Sequence, residues 1–166
     1  MSIFLLTISY KRRIDGSGDE RTGVLFRPEF MLISEFDTNT NKYTRYKNIP
    51  LKREYIPRVT AEKLISKDAR IVVWIEDEKS ILHTLVQEAG FNSGKLEFIP
   101  IREYLRQHDI PDKSLASTAK ALHLGNCPRD GVTSYDKLFK RFDTLRKIFK
   151  KIIHIDGLDL IDGILI

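Results

Sequence analysis

The chain opens on Ile3-Phe4-Leu5-Leu6-Thr7-Ile8-Ser9-Tyr10, a short apolar run with β-branched members and little polar alternation. Such a run predicts a central strand, covered on both faces. Lys11 to Gly23 is charged, holds Gly16, Gly18 and Gly23, and predicts a loop or an extended hairpin tip. A second apolar stretch, Val24 to Phe36, is interrupted by Pro28 and followed by the turn residues Asp37 to Asn41. Polar and apolar side chains then partly alternate from Lys42 to Ile49, completing an antiparallel three-strand meander whose third strand is half exposed.

After the meander the period changes. Thr60 to Lys67 predicts a short helix, Ala69 to Ile75 a buried strand, and Glu78 to Ala89 a helix with Ile81, Leu82, Leu85, Val86 and Ala89 on one face and Gly90 as its stop. Lys95 to Ile101 reads as a fifth strand. Helices are expected at Arg102 to His108 and Ser114 to Leu124, then a loop from Gly125 to Gly131, then a long helix from about Thr133 to Ile153. Strands and helices in this order predict an α/β layered domain with an antiparallel and a parallel portion.

Composition narrows the class. With 166 residues, 42% hydrophobic, the chain is sized for one domain, which buries roughly 70% of the surface its unfolded form exposes. Cys127 is the only thiol, so no internal disulfide is available, and with four scattered histidines it offers no zinc cluster; a reducing, cytoplasmic setting is expected. No apolar run approaches the ~18 residues of a membrane span. The net charge of +5 is unevenly placed, because Lys137 to Lys151 alone holds seven Lys/Arg against one acid. The long helix is two-faced, with Leu138, Phe139, Phe142, Leu145, Phe149, Ile152 and Ile153 on one arc and Lys137, Lys140, Arg141, Lys147, Lys150 and Lys151 largely on the other. That stripe reads either as a solvated face or as a phosphate-binding one, extended by Lys11-Arg12-Arg13 and Lys52-Arg53. Tyr43, Tyr46 and Tyr55 lie among basic residues, an arrangement that suits base stacking or simple cover of the sheet.

Three segments carry a family resemblance. Val72-Val73-Trp74 is followed by Glu78 and Leu82, then Phe98-Ile-Pro-Ile-Arg-Glu-Tyr-Leu105, then Ser114-Leu115 to Ala119-Lys-Ala-Leu122. Together with the element order they resemble the DEDD-type, or DnaQ-like, 3′–5′ exonucleases of the RNase H-like superfamily, in particular the group that includes sporulation-pathway inhibitors. The resemblance implies a mixed five-stranded sheet flanked by helices over residues 1–153. It also implies a cleavage centre in which an Asp-x-Glu pair on the first strand, a later Asp and a His-x-Ala-x-x-Asp helix hold two divalent ions.

This sequence departs from that pattern. The first-strand positions read Thr7 and Ser9, the third carboxylate reads Glu78, the His position reads Gly131, and only Asp136 is unchanged. Hydroxyls are weak ligands for hard cations, and glycine has no side chain to take a proton. The expectation is a catalytically inactive or severely impaired exonuclease-like protein without cofactor, acting as a nucleic-acid-binding or regulatory and assembly module with DNA or RNA as partner. Two rivals stay open. One is an active 3′–5′ exonuclease with Mg or Mn held weakly by Glu78 and Asp136, or with acids from Glu35 or Asp37; the other is a purely protein-binding scaffold. The tail, residues 154–166, is rich in Ile and Leu and is expected to pack on the core or on a second copy, forming a homodimer.

Overall fold

The computed structural model describes residues 2–12, 26–51, 55–128 and 135–156. Gly131, Arg13, most of the loop after Arg12, the Lys52-Arg53 pair and the tail beyond Asp156 lie outside them. Among the described residues no helix is long and apolar enough to cross a membrane.

Two long strands build the sheet, β1 (Ser2–Arg12) and β2 (Phe26–Asp37). They pair antiparallel from Ile3–Phe36 to Ser9–Phe30, and the register shifts by one between Ser9 and Tyr10, where β2 carries Pro28 and Glu29. Proline brings no amide donor to a ladder, so a bulge there loses least. Side chains alternate across the sheet as the strand period demands. Ile3, Leu5, Leu32 and Phe36 enter one core; Phe4, Leu6, Ile8, Met31 and Ile33 enter the other. Both faces of β1 are therefore covered, as its continuous apolar run implies.

Three short strands complete the sheet: β3 (Lys42–Tyr43) and β4 (Lys47–Pro50), both paired to β2, and β5 (Ala69–Val72), parallel to β1. The strand order is β3-β2-β1-β5, with β4 also on β2. Two expectations change here. The single third strand from Lys42 to Ile49 is split, because Thr44-Arg45-Tyr46 leaves the ladder between β3 and β4. The expected strand from Lys95 to Ile101 contributes a single parallel bridge, Ile71 to Phe98, with Ile71 N donating to Glu97 O and Ile99 N to Ile71 O. Pro100 cannot extend that ladder, since it lacks an N–H, and helix begins at the next residue.

Helices α1 (Arg58–Leu64) and α2 (Glu76–Glu88) cover the Phe4–Leu6–Ile8 face, while α3 (Ile101–Gln107), α4 (Leu115–Ala121) and α5 (Tyr135–Asp156) cover the other. α2 begins with Glu76, Asp77 and Glu78, acids at the positive end of the helix dipole. It stops at Gly90, whose φ of +91° lets Phe91 N reach Val86 O. On α5, Phe142 and Phe149 pack inward, and Phe149 meets Phe36 edge-on with ring centroids 5.5 Å apart.

Candidate functional site

β5 pairs with β1 only as far as Leu5, so the β5-facing edge of β1 beyond that point needs other partners. Glu78 supplies one. It stands three residues into α2, is buried, and its Oε2 accepts from Ile8 N at 2.8 Å. Its Oε1 accepts from Ile75 N at 3.2 Å, the backward half of a capping box. The Thr7 hydroxyl is a third hydrogen-bond partner. One residue earlier, Asp77 Oδ2 accepts from the Tyr10 hydroxyl at 3.1 Å, so the first turn of α2 is tied to the outer half of β1 at two places.

Thr7 and Ser9 both face the α5 side, as their cross-strand partners Leu32 and Phe30 do. Both are buried, and among the described residues Ser9 Oγ has no hydrogen-bond partner. The structure thus brings Thr7 and Glu78 together, with Ser9 two positions along the same face. It sets Glu35 opposite Phe4 on the other face, away from this centre. Asp136 lies exposed in the first turn of α5, beside Tyr135, whose ring rests on Phe30 at 5.6 Å and whose hydroxyl is 3.3 Å from that of Tyr46.

The residue that sequence reasoning misplaced is Arg141. Counted with the outer lysines, it is in fact only 4% exposed, and its Nη1 donates to Pro128 O at 2.8 Å. Its guanidinium is electrostatically coupled to Glu78. The signal was available, because Arg141 falls three residues after Leu138 and four before Leu145, on the helix's buried arc.

Burial pushes the Glu78 carboxyl up to about 7 from an ordinary 4.5, against the lowering effect of its hydrogen bonds and of Arg141. An acid whose folded value is raised contributes stability that is full below its unfolded value and fades as pH climbs through the folded one. Between pH 5 and pH 8 the contribution should fall by roughly 2–3 kcal/mol. Denaturant titrations of the native chain and of Glu78→Gln at both pH values check this. The native chain should lose more stability than the variant on going to pH 8, and equal losses would refute the assignment.

The cationic helix face is smaller than the sequence suggests. Lys137, Lys140, Lys147 and Lys150 are exposed, but Lys147 pairs with Asp143 at 3.1 Å, and Lys151 Nζ donates to Leu122 O at 2.7 Å. Lys11 is exposed and 3.7 Å from Glu29, and Arg12 ends β1. Tyr43 and Tyr46 are taken up by packing on α5: Tyr43 donates to Arg146 O at 2.8 Å, and the Arg146 guanidinium lies over both rings. Tyr55 remains exposed. Among the described residues no three His, Cys, Asp or Glu side chains converge in a group suited to a metal ion.

No protein-family model matches the sequence, and none of the curated proteins matches it. A match is found among solved structures. The nuclease domain of 3′hExo, a DEDDh family member whose crystal structure holds rAMP, superposes with a TM-score of 0.55 at 10% sequence identity, covering 94% of this chain and 92% of that one. The five-stranded mixed sheet with helices on both faces is thus the RNase H-like, DnaQ-type exonuclease fold.

Proposed function

We infer that this chain is an exonuclease-fold protein in which the cleavage centre has become a structural joint, leaving a nucleic-acid-binding module of regulatory or assembly type. The observation that carries the reading is the environment of Glu78. Both of its oxygens accept from backbone amides, a neighbouring hydroxyl adds a third bond, and the nearby positive charge is a side chain of the same protein, Arg141. A carboxylate engaged in this way has little left to offer a divalent ion, and hard cations such as magnesium prefer several anionic oxygens. The partner positions carry the neutral hydroxyls of Thr7 and Ser9. The residues present do not fit a pair of divalent ions.

Binding is assigned to the outer face of α5, where Lys137, Lys140, Lys147 and Lys150 stand in solvent. Contacts of this type read phosphates rather than bases, and their strength falls with salt, with a logarithmic slope of about −0.7 per neutralised phosphate on single strands. Labelled single-stranded DNA and RNA, incubated with magnesium or manganese, should remain full length. They should also bind at low salt and dissociate steeply as salt rises, and replacing the four lysines with alanine should reduce affinity at least tenfold. Metal-dependent shortening that Asp136→Ala abolishes would establish an active nuclease instead. No binding at low salt would favour the protein scaffold.

A further inference from the structure

On the sheet face opposite Thr7 and Ser9, β2, β4 and α1 enclose a cleft of about 320 Å³. It forms where β2 changes partner: pairing to β3 ends at Phe36–Tyr43 and pairing to β4 begins at Ile33–Lys47. The residues between them turn away, and their backbone is secured locally. Ser34 Oγ donates to Thr44 O at 2.9 Å, and Glu35 N donates to Thr44 Oγ1 at 3.1 Å. α1, only 7 residues long, seats Ala61 and Leu64 in the core and leaves the space beside Thr60 and Lys63 open.

The floor is apolar, made by Phe4, Ile33, Ile49 and Leu64. The rim is cationic, made by Arg45, Lys47 and Lys63, all exposed, with Glu35 the one acid in the lining. Among the described residues none of these three cations is in an ion pair, in contrast to Lys11, Arg70, Lys79, Arg106, Arg146 and Lys147. Like charges gathered around an apolar surface repel one another and gain from a shared counter-ion. An occupant that satisfies both parts of the cleft places an apolar body on the floor and an anion at the rim. A phosphate monoester carries about −1.5 to −2 charges near neutrality and presents several acceptor oxygens to a guanidinium fork, which suits one arginine and two lysines better than a carboxylate does. The volume is at the small end of ligand sites, which run from about 300 to 1,000 Å³.

We propose that this cleft binds a small phosphate monoester with an apolar body. The test uses 1-naphthyl phosphate, with 1-naphthol and inorganic phosphate as separate arms, and reads the methyl resonances of Ile33, Ile49 and Leu64 in the full chain by NMR. Naphthyl phosphate should shift these methyls saturably, and each half-molecule alone should bind at least about tenfold more weakly. Arg45→Ala and Lys63→Ala remove exposed side chains and leave the core intact, so each should weaken binding roughly five- to tenfold with the rest of the spectrum unchanged. The assignment is overturned if these methyls do not move at millimolar ligand. It also fails if both variants bind as the native chain does, or if naphthol binds as tightly as its phosphate.

Discussion

Replacing Arg141 with methionine should cost about 2–4 kcal/mol of folding free energy, because it leaves Pro128 O without its buried donor and removes a positive charge that acts on Glu78. The shape of the arginine stem is largely kept, so lost packing is a small part of this. What is lost is the positive charge coupled to Glu78 and the donor to Pro128 O. The loss should depend on pH: near pH 5 Glu78 is mostly protonated and needs no counter-charge, whereas at pH 8 it is ionised. Adding Glu78→Gln should recover 1–3 kcal/mol of the Arg141→Met deficit at pH 8, as expected for residues that interact directly. Urea unfolding of the two single variants and the double variant measures the coupling. A deficit below about 1 kcal/mol, or additive single effects, would show that Arg141 is merely packed there.

The second large effect is expected at Phe142. This ring is fully buried at the heart of the α5 interface, 6.3 Å from Tyr46 by centroid and capped by the Arg146 guanidinium at 4.7 Å. Phe142→Ala removes most of a buried aromatic side chain and leaves a hole that the surrounding rings cannot close. A loss of about 3–5 kcal/mol follows, with a fall in Tm of about 10 °C or more for a domain of this size. Phe142→Leu keeps most of the volume and should cost about 1–1.5 kcal/mol. Calorimetry of both distinguishes cavity formation from loss of the aromatic and cation–ring contacts. If leucine costs as much as alanine, the ring contacts dominate and the cavity account fails.

The parts of this fold that can be read directly from the residue pattern are those where one periodicity acts over a long stretch. β1 is apolar at successive positions because both faces are covered, and α2 shows its buried arc through Ile81, Leu82, Leu85 and Val86. Short elements were harder to read, because their fate depends on hydrogen-bond partners that side-chain polarity does not encode. Tyr43, Tyr46 and Ile49 recur among polar neighbours every third residue, a spacing that gives no sign of the break between β3 and β4. Leu96, Phe98, Ile99 and Ile101 are apolar enough for a strand, yet Pro100 confines the pairing to one bridge.

Of the candidate centre, the structure shows one part: Glu78 lies against the strand that carries Thr7 and Ser9, three residues that the sequence groups only through the family resemblance. The role of Arg141 was hidden by its neighbours, since a lone arginine in a run with Lys137, Lys140 and Lys147 passes for one more surface cation. Only its spacing from Leu138 and Leu145 separates it from them. The joint between Tyr10 and Asp77 was invisible for a different reason, because a hydroxyl and a carboxylate 67 residues apart leave no local trace.

The positive charge that Arg141 brings to bear on Glu78 is covalently attached, which has a simple corollary. A metal ion can be stripped by a chelator, exchanged for a rival, or missing when its supply runs low, whereas a guanidinium arrives with every copy that the ribosome makes. The electrostatic balance at this end of β1 is therefore inherited with the sequence and does not depend on the mineral content of the surroundings.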